Sequence, residues 1–506
     1  MRSAPADRAD WLAWPVALAL IVSAVAVRVG FFAYPFHNDS GLYAYMGKVV
    51  AQGGVLYRDF YENKPPGAAM IVSVFWRAFG SWWPGYVLSE LALTFVAAAV
   101  LARSVRRHAG SHAWLATFLA AIVFFNFGWA VYSGFQLETI QIFFTTLAAA
   151  AVLEALDGGD WADAFTAGLA AGCAAMIKPN GLAVGGAFAF VLLWQAKSLG
   201  WRRTGKMISC LSIAAAIPVS AVAFWVIRTG IAGEMPHLMR QIALYGSGSP
   251  MDSFTIFKLL IVGSVCFFPL VVRGWVFRRH DVTDENSPPT LWAFVSIWAA
   301  IELIGIVMQG RMSVYHFLPL APVAALAYGL LARTSRGVVL AMSLLPIAFL
   351  SMQYRGSDLT GIANATRIDP LSRYLRTHTK PGDSIFVDQT GRFLLETGLN
   401  PGTRYSIFYY WFNYDDAPQD YCNGMIQDFQ QRQPKYIAIG HDADKSLDRM
   451  ADDPIMKYRP VRQHNARVAW KEFRDYLAAH YQFETRIGDN DVFRRRDTIV
   501  SANIQE

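Results

Sequence analysis

The sequence is short of charge. Asp, Glu, Lys and Arg make up 16% of its 506 residues and hydrophobic residues make up 54%, whereas an average soluble domain is about 25% charged. Cysteine is also scarce, with four residues and no spacing of Cys and His that is typical of a zinc site. Three of the four lie in apolar segments, so Cys422 has no partner for a disulfide within the polar C-terminal region. These shortages exclude a simple soluble enzyme and a C-terminal domain held by its own disulfides.

The charge that is present is unevenly distributed. Residues 1–353 hold 24 Lys and Arg and 17 Asp and Glu, whereas the much shorter 354–506 holds 21 of each group. We therefore predict a membrane domain over 1–353 and a water-exposed domain over 354–506. The formal net charge of +7 falls entirely in the membrane part. There it indicates loop charges that orient spans rather than a surface for nucleic acid.

Long apolar segments recur throughout the first domain. A helix needs about 20 mostly apolar residues to cross the hydrocarbon core. The first segment is long and lacks a small-residue cleavage site, so we expect it to remain as an anchor. Segment 66–80 contains Arg77 and is a marginal twelfth candidate, short enough to be broken or interfacial. The eleven predicted spans are 11–33, 84–104, 112–131, 137–155, 162–177, 180–198, 207–228, 254–274, 290–308, 316–333 and 337–353.

Loop charges predict how these spans are oriented. Lys and Arg collect in cytoplasmic loops, and four loops of this chain are basic: 103–107, 202–206, 273–279 and 333–336. All four fall on one side if segment 66–80 does not cross. The chain then starts in the cytoplasm and delivers both the external loop 34–65 and the region 354–506 to the outside. Only the loop 157–163 opposes this orientation, because it is acidic.

The C-terminal region has the pattern of a small mixed domain. Branched apolar runs at 384–388 and 435–440 predict short strands, and the stretches 369–379 and 469–480 predict helices. We expect an α/β or α+β domain.

The most informative stretch is the first external loop, HNDSGLYAYMGKVVAQGGVLYRDFYENKPPG at 37–67. Apolar periodicity over 41–51 predicts a short helix along the membrane surface. Asp39 lies at its start, where a carboxylate can simply cap backbone N–H groups. A double proline fixes the backbone at the end of the loop, so Glu62 and Lys64 are expected to be held in place.

Further polar residues are predicted on the same membrane face. A charged side chain at bilayer depth costs about 2.5–3.5 kcal/mol on insertion scales, so several at one face indicate a shared polar cavity. Its carboxylates could hold a proton or a hard cation such as Mg²⁺, and its Lys and Arg could hold a phosphate. These positions are Glu138, Lys178, His237, Arg240, Arg311, Tyr315 and His316.

Simpler roles stay open for three of these residues. Glu138 could cap its helix, Lys178 could extend to the interface, and His316 could be an interfacial histidine without a ligand. Charged residues inside the spans are assigned to pairing within the membrane: Arg28, Glu90 and Glu302.

A series of motifs runs through the chain: NDSGLYAY and GGVLYRDFYENKPPG in the first external loop, then SGFQLE, KPNG and GRMSVYHFLPL, and finally KPGDSIFV. Together they resemble glycosyltransferase family 39. The likeness is closest to the bacterial branch that includes lipid A aminoarabinose and galacturonic acid transferases, and it extends to protein O-mannosyltransferases. It covers nearly the whole chain and is strongest over 37–67.

The resemblance implies a polytopic α-helical GT-C fold with 11 to 12 transmembrane helices and a small extracytoplasmic α/β domain. It places the protein in the bacterial inner membrane, with its active site outside. It implies inverting transfer of a sugar from a polyprenyl-phosphate-linked donor to an envelope lipid, glycan or protein. The main alternative is a polytopic transporter or a flippase of lipid-linked sugars. Transporters are commonly built from repeated halves, and the sequence shows no internal repeat.

The resemblance also implies roles for single residues. Asp39 matches a catalytic acidic residue that acts as general base, metal ligand or both, and Glu62 and Glu138 match further acidic positions. Asp39 and Glu62 would hold a divalent Mg, Mn or Zn ion. The donor phosphate would be bound by a basic set: Arg58, Lys64, Lys178, His237 and Arg240. The cavity would be completed by Tyr43, Arg311, Tyr315 and His316.

Overall fold

The chain folds into a bundle of helices followed by a small domain built on one sheet. The computed structural model describes residues 10–37, 39–131, 133–246, 289–309, 313–332, 344–355, 368–388, 391–405, 418–441 and 460–496. The α-helices up to residue 355 are Asp10–Gly30, Asp39–Ala51, Pro66–Phe79, Trp83–Phe125, Leu137–Leu156, Trp161–Ile177, Ala183–Trp194, Ala196–Leu199, Trp201–Arg228, Met235–Gly246, Pro289–Met308, Ala321–Leu331 and Leu345–Arg355. Short 3₁₀ helices occupy Phe31–Ala33, Pro179–Leu182, Ala232–Glu234 and Val314–Leu320.

Six described helices are long and apolar enough to cross a membrane: Trp14–Ala33, Trp83–Gly110, Leu137–Leu156, Trp201–Arg228, Thr290–Met308 and Val314–Leu331. Four apolar helices are shorter: Pro66–Phe79, His112–Phe125, Trp161–Ile177 and Pro179–Trp194. All of these except Pro66–Phe79 coincide with predicted spans. The predicted span 254–274 lies outside the described residues, and 337–353 is described only from residue 344.

The stretch Trp83–Phe125 contains two predicted spans joined at a sharp break. Gly110 has φ 83° and ψ −175°, a conformation outside the helical region. A positive φ is easily adopted only by glycine, so this residue lets the chain turn back without a loop. Two separate helices therefore lie where the spans 84–104 and 112–131 are predicted.

Segment 66–80 does not cross the bundle. Helix Pro66–Phe79 has 14 residues, about 21 Å at 1.5 Å per residue, which is shorter than the hydrocarbon core. The next helix begins at Trp83, beside the end of the first helix of the chain, since the Trp83 indole donates a hydrogen bond to the Phe31 carbonyl at 2.9 Å. Both ends of Pro66–Phe79 therefore lie near the same end of the bundle, which is the condition that the predicted orientation required.

The two predicted basic loops that the structure describes, 103–107 and 202–206, lie together at the opposite end of the bundle. Arg107 pairs with Glu154 near the C-terminus of helix Leu137–Leu156, and Arg203 donates to the Gly159 carbonyl at 2.8 Å. His108 lies 3.8 Å from Asp157. The acidic loop 157–163 thus lies among the basic groups and is partly neutralised by them, which explains why it opposes the charge rule.

Helices in the bundle approach closely where glycine is present. A Cβ on Gly168 would lie 2.1 Å from the Leu211 carbonyl oxygen, and one on Gly172 would lie 2.4 Å from that of Ala215. Close backbone approach through small residues is a common way for membrane helices to associate. Lipid tails are as apolar as the helix surfaces, so burial of apolar surface does not favour contact between helices over contact with lipid. These glycines set the packing of Trp161–Ile177 against Trp201–Arg228.

The C-terminal domain contains a five-stranded mixed sheet. Its strands are β1 Ser384–Val387, β2 Asn400–Pro401, β3 Tyr436–Gly440, β4 Tyr481–Ile487 and β5 Asn490–Arg495. They lie in the order β2-β1-β3-β5-β4, with β1 parallel to β2 and β3, and β5 antiparallel to β3 and β4. Its helices are Pro370–His378, Gly391–Thr397, Pro418–Arg432 and Pro460–His480. The two predicted strands and both predicted helices are present.

Candidate active site

Helix Asp39–Ala51 is more deeply buried than an interfacial helix would be. Its residues from Ser40 to Gly47 are all buried, and a Cβ on Gly47 would lie 2.8 Å from the Val72 carbonyl oxygen. On the other side, a Cβ on Gly391 of the C-terminal domain would lie 2.6 Å from the Gly41 carbonyl oxygen. That the helix also runs along the membrane surface stays a prediction. Two glycines let it pack between the bundle and the soluble domain.

The loop that follows this helix is held by its own hydrogen bonds. The Val55 N–H donates to Asp59 Oδ2 at 2.7 Å, and the Tyr57 hydroxyl donates to the Lys64 carbonyl at 2.6 Å. Burial raises the pKa of Asp59, but hydrogen bonds from Arg58 and Val55 outweigh it and leave that pKa below its ordinary value. Tyr57 has φ 71°, a strained conformation for a non-glycine residue that persists only where its surroundings fix it.

The acidic residues of the predicted site converge on the Tyr43 hydroxyl. Burial raises the pKa of Tyr43 well above its ordinary value, and the nearby negative charges of Asp39, Glu138 and Glu62 raise it further. The Lys64 ammonium lies 5.7 Å from the centre of the Tyr43 ring. Residues far apart in sequence therefore form one group, named here the Tyr43 cluster: Asp39, Tyr43, Glu62, Lys64, Glu138, Lys178 and Tyr315.

Two lysine–carboxylate pairs lie within the Tyr43 cluster. Lys64 Nζ lies 3.2 Å from Glu62 Oε1, and Lys178 Nζ pairs with Glu138 Oε1. Both carboxylates are completely buried. Lys178 Nζ also lies 5.4 Å from the centre of the Tyr315 ring, within cation–π range. The pairing replaces the simpler readings of Glu138 as a helix cap and of Lys178 as a residue extending to the interface.

Several buried polar atoms in and beside this cluster have no hydrogen-bond partner among the described residues. They are the Tyr43 hydroxyl, Oε2 of both Glu62 and Glu138, both side-chain polar atoms of Gln136, and Gln141 Oε1. Buried polar groups in native proteins are nearly always hydrogen-bonded, and an unpaired one costs about 1–3 kcal/mol. A group of such atoms around two lysines is typical of a site that binds a polar, negatively charged ligand.

The remaining predicted residues occupy other places. Arg58 is exposed and pairs with Asp59 at 3.2 Å, outside the Tyr43 cluster. His237 and Arg240 are exposed on helix Met235–Gly246. His316 is buried, with its ring centre 4.3 Å from that of Tyr315. Arg311 lies outside the described residues.

The described residues contain no group of three or more Asp, Glu, His or Cys that could hold a metal ion. Asp39 and Glu62 both lie near Tyr43. Mg²⁺ can be bound by one or two carboxylates when substrate phosphate and water supply the other ligands. A metal held by Asp39 and Glu62 therefore stays a prediction that depends on the substrate.

The soluble domain also contributes to the site, which the sequence did not indicate. The Tyr61 N–H donates to the Arg404 carbonyl at 2.8 Å, and the Tyr61 ring centre lies 5.5 Å from that of Tyr405 and 5.4 Å from that of Tyr421. These contacts attach the C-terminal domain to the residue next to Glu62. No pattern in the sequence could have paired residues more than 300 positions apart.

A buried network supports the start of helix Leu137–Leu156. Arg28 pairs with Glu90 and donates to Asn126 Oδ1 at 2.7 Å. The other oxygen of Glu90 accepts the Gln136 N–H at 2.6 Å, two residues before Glu138. The structure thus contains the pairing within the membrane that was assigned to Arg28 and Glu90. Glu302 differs, since an amide and an indole donate hydrogen bonds to its carboxyl group.

The fold is that of the GT-C glycosyltransferases. Two structures of ArnT from Cupriavidus metallidurans match it with a TM-score of 0.56, one bound to undecaprenyl phosphate at 16% identity and one in the apo state at 15%; each match covers 94% of this chain and 97% of ArnT. An oligosaccharyltransferase from Archaeoglobus fulgidus, tethered to an acceptor peptide, has a TM-score of 0.47 and 13% identity over 92% of this chain and 72% of its own. The fold assignment rests on the ArnT structures.

The sequence comparisons agree with this fold. Residues 63–225 match the family model of dolichyl-phosphate-mannose-protein mannosyltransferases. Comparison with curated proteins finds no match. The predicted fold class and the predicted resemblance to GT-C glycosyltransferases are confirmed. The family match and the fold together support a multi-pass membrane glycosyltransferase of the GT-C type.

Proposed function

We propose that this protein transfers a sugar from a polyprenyl-phosphate donor to a hydroxyl group of an envelope lipid, glycan or protein. The reaction takes place on the extracytoplasmic face of the bacterial inner membrane and inverts the anomeric carbon. The Tyr43 cluster is its active site. The observation that carries the proposal is a buried cluster in which three carboxylates lie near one hydroxyl and two lysines pair with two of those carboxylates. Several polar atoms of this cluster have no hydrogen-bond partner within the described parts of the chain.

The first chemical requirement is removal of the acceptor proton. As the acceptor oxygen forms its bond to the anomeric carbon, its proton passes to a carboxylate, a role that contributes about 10²–10⁴ in rate. Asp39 suits this role better than the other two carboxylates. It lies at the start of its helix and is only half-buried, whereas Glu62 and Glu138 are completely buried.

The second requirement is stabilisation of the leaving group. The bond between the anomeric carbon and the phosphate oxygen breaks, and its electron pair stays on the phosphate. Lys64 and Lys178 are the two cations of the Tyr43 cluster. Preorganised charge stabilises a developing anion better than water does. The product left in the site is the polyprenyl phosphate. The ArnT structure bound to undecaprenyl phosphate supports a ligand of this class.

A divalent ion is compatible with the same site. Asp39 and Glu62 would hold it, and it would add positive charge at the donor phosphate. We expect a chelator to lower transfer, and added Mg²⁺ or Mn²⁺ to restore it, if the ion is required. Unchanged transfer in a chelator would leave the two lysines as the cations at the phosphate.

The test is transfer from a labelled polyprenyl-phosphate sugar by the purified protein. Wild type should transfer the label, and Asp39→Asn should abolish transfer while the protein stays in the membrane. Asp59→Asn is the matched control, since Asp59 lies in the same loop but pairs with Arg58. Movement of the label across a vesicle bilayer without any transfer would replace this proposal with the flippase alternative. Full activity of Asp39→Asn would remove Asp39 from the mechanism.

A further inference from the structure

A chain of hydrogen bonds runs from beside the active site into the bundle. Gln141 Nε2 donates to Asn180 Oδ1 at 2.9 Å, and Asn180 Nδ2 donates to Glu302 Oε2 at 3.1 Å. The Trp298 indole N–H donates to the other Glu302 oxygen at 3.3 Å. Three separate spans are joined in this way, and neither Asn180 nor Glu302 has a role in the proposed reaction.

Asn180 lies in the turn that carries Lys178. The turn is short, since the Gly181 N–H donates to the Lys178 carbonyl at 2.9 Å, and Pro179 restricts the backbone between them. A Cβ on Gly305 would lie 3.4 Å from the Asn180 Cβ, so the helix that carries Glu302 comes close to this turn. The Asn180 amide is therefore fixed on one side by Gln141 and on the other by Glu302.

Glu302 is an unusual residue for its place. It is completely buried in a spanning helix, and among the described residues no Lys, Arg or His forms an ion pair with it. A carboxyl group in this position is costly unless its oxygens are hydrogen-bonded. Both oxygens accept a hydrogen bond, and one of them holds the Asn180 side chain.

We infer that Asn180 and Glu302 are positioning residues that fix the turn 178–181 and so aim the Lys178 ammonium at the donor phosphate. The inference rests on the proposed function, in which Lys178 binds that phosphate. Without the amide link the turn would still form, but its side chains would be free to move away from Glu138 and Tyr315. Preorganisation of a charged side chain by surrounding hydrogen bonds is a common requirement of binding sites.

The first experiment measures binding of undecaprenyl phosphate to the full-length protein in detergent. Lys178→Ala should weaken binding at least tenfold, and Asn180→Ala should weaken it about tenfold, which is typical of losing a buried hydrogen bond that orients a charge. Glu302→Leu should have an effect similar to that of Asn180→Ala. Glu302→Gln should stay within about threefold of wild type, because its amide oxygen can still accept the Asn180 N–H.

The second experiment combines Asn180→Ala with Lys178→Ala. A residue that acts through Lys178 has nothing to position once the ammonium is gone, so the double variant should bind as weakly as Lys178→Ala alone. Additive losses would overturn the inference, because Asn180 would then affect binding by another route. Thr146→Val is the matched control, since the buried Thr146 hydroxyl donates only within its own helix, to the Ile142 carbonyl at 2.6 Å.

The two proposals fail in different ways. If Lys178→Ala binds undecaprenyl phosphate as well as wild type does, the phosphate-binding role of Lys178 is wrong, and the positioning inference falls with it. If Lys178→Ala weakens binding but Asn180→Ala and Glu302→Leu do not, only the positioning inference is wrong. Thermal unfolding of each variant checks that a loss of binding is not a loss of folding. If Glu302→Leu is too unstable to purify, Asn180→Ala and its combination with Lys178→Ala decide the inference.

Discussion

Two ion pairs, each between a carboxylate and a basic side chain, lie at opposite ends of one helix and differ in how deeply they are buried. Glu138, in the first turn of Leu137–Leu156, is completely buried and pairs with Lys178, which is 13% exposed. Glu154, in the last turn, is 27% exposed and pairs with Arg107, which is 50% exposed. Exposed pairs contribute about 0–1 kcal/mol because water screens them. Burial is what turns a lysine and a carboxylate into a possible binding site.

A third pair shows that burial alone does not make a site. Arg28 and Glu90 are as deeply buried as Glu138. Asn126 and the Phe125 carbonyl accept further hydrogen bonds from Arg28, and Gln136 occupies the second oxygen of Glu90. Within the parts of the chain that the structure describes, one oxygen of Glu138 has no hydrogen-bond partner. The fully bonded pair stabilises the bundle, and the incompletely bonded pair is ready for a ligand.

The largest effect that tests this comparison is expected at Arg28. Arg28→Met leaves Glu90 buried without its cation, which costs about 3–5 kcal/mol in a buried pair. We expect a large drop in the unfolding temperature in detergent. Arg28→Met combined with Glu90→Met should recover much of that loss, because no unpaired charge remains. A double variant no more stable than Arg28→Met would contradict the structural role of the pair.

Disrupting the Glu138–Lys178 pair should affect transfer more than stability. Glu138→Gln takes away the charge that holds the Lys178 ammonium, and charge-assisted hydrogen bonds contribute about 1.5–3 kcal/mol. We expect transfer to fall about 10- to 100-fold while the unfolding temperature changes little. The measurements are initial rates of transfer and thermal unfolding of the same preparation. A large loss of stability with normal transfer would mean that Glu138 has the structural role that is assigned here to Glu90.

Disrupting the exposed Arg107–Glu154 pair should have almost no effect on stability or on transfer. Arg107→Ala and Glu154→Gln should each change stability by less than about 1 kcal/mol. Transfer should be unchanged, since both residues lie at the end of the bundle away from Tyr43. Initial rates of these two variants beside Glu138→Gln give the comparison directly. Equal losses at both ends would show that charge on this helix matters wherever it lies.

The smallest effect is expected at Asp59, an exposed carboxylate at the site end. Its pKa lies below the ordinary value in the folded protein, so the stability it contributes is present above the unfolded-state pKa. That contribution is lost as the pH falls through the lower, folded-state pKa. Thermal unfolding between neutral and acidic pH should therefore show a slightly smaller acid-induced loss in Asp59→Asn than in wild type. An identical pH profile would mean that the loop does not depend on this carboxylate.

The strands of the C-terminal domain show which elements a sequence can predict. β1 and β3 lie at the centre of the sheet and are almost wholly buried, so their branched apolar runs are continuous and easily recognised. β4 and β5 form an antiparallel hairpin whose strands carry charged residues, and Phe483 is 55% exposed. Their mixed composition hides them. The hairpin forms because β5 pairs with β3, a contact between distant parts of the chain.

The candidate site likewise contains features that the sequence could indicate and features that it could not. Asp39, Glu62 and Lys64 were recognisable because they lie close together in one unusually charged loop between apolar segments. Glu138 and Lys178 were recognisable as charges at span ends, and their partnership was not. Arg58 was grouped with the phosphate-binding residues because it lies in the same loop, but its side chain is exposed beside Asp59. Neighbours in sequence can point to opposite sides of a turn.

By itself, the sequence determined that this is a membrane protein, where most of its spans lie and which loop carries the charges. Hydropathy decides these features locally, because each span must exclude charge over its own 20 or so residues. Only the tertiary structure decided that helix Asp39–Ala51 is buried, that the C-terminal domain is attached beside Glu62, and that Glu302 bonds to Asn180 in the turn after Lys178. These depend on contacts between distant segments, where close packing at a few glycines and the directions of single hydrogen bonds select one arrangement among many.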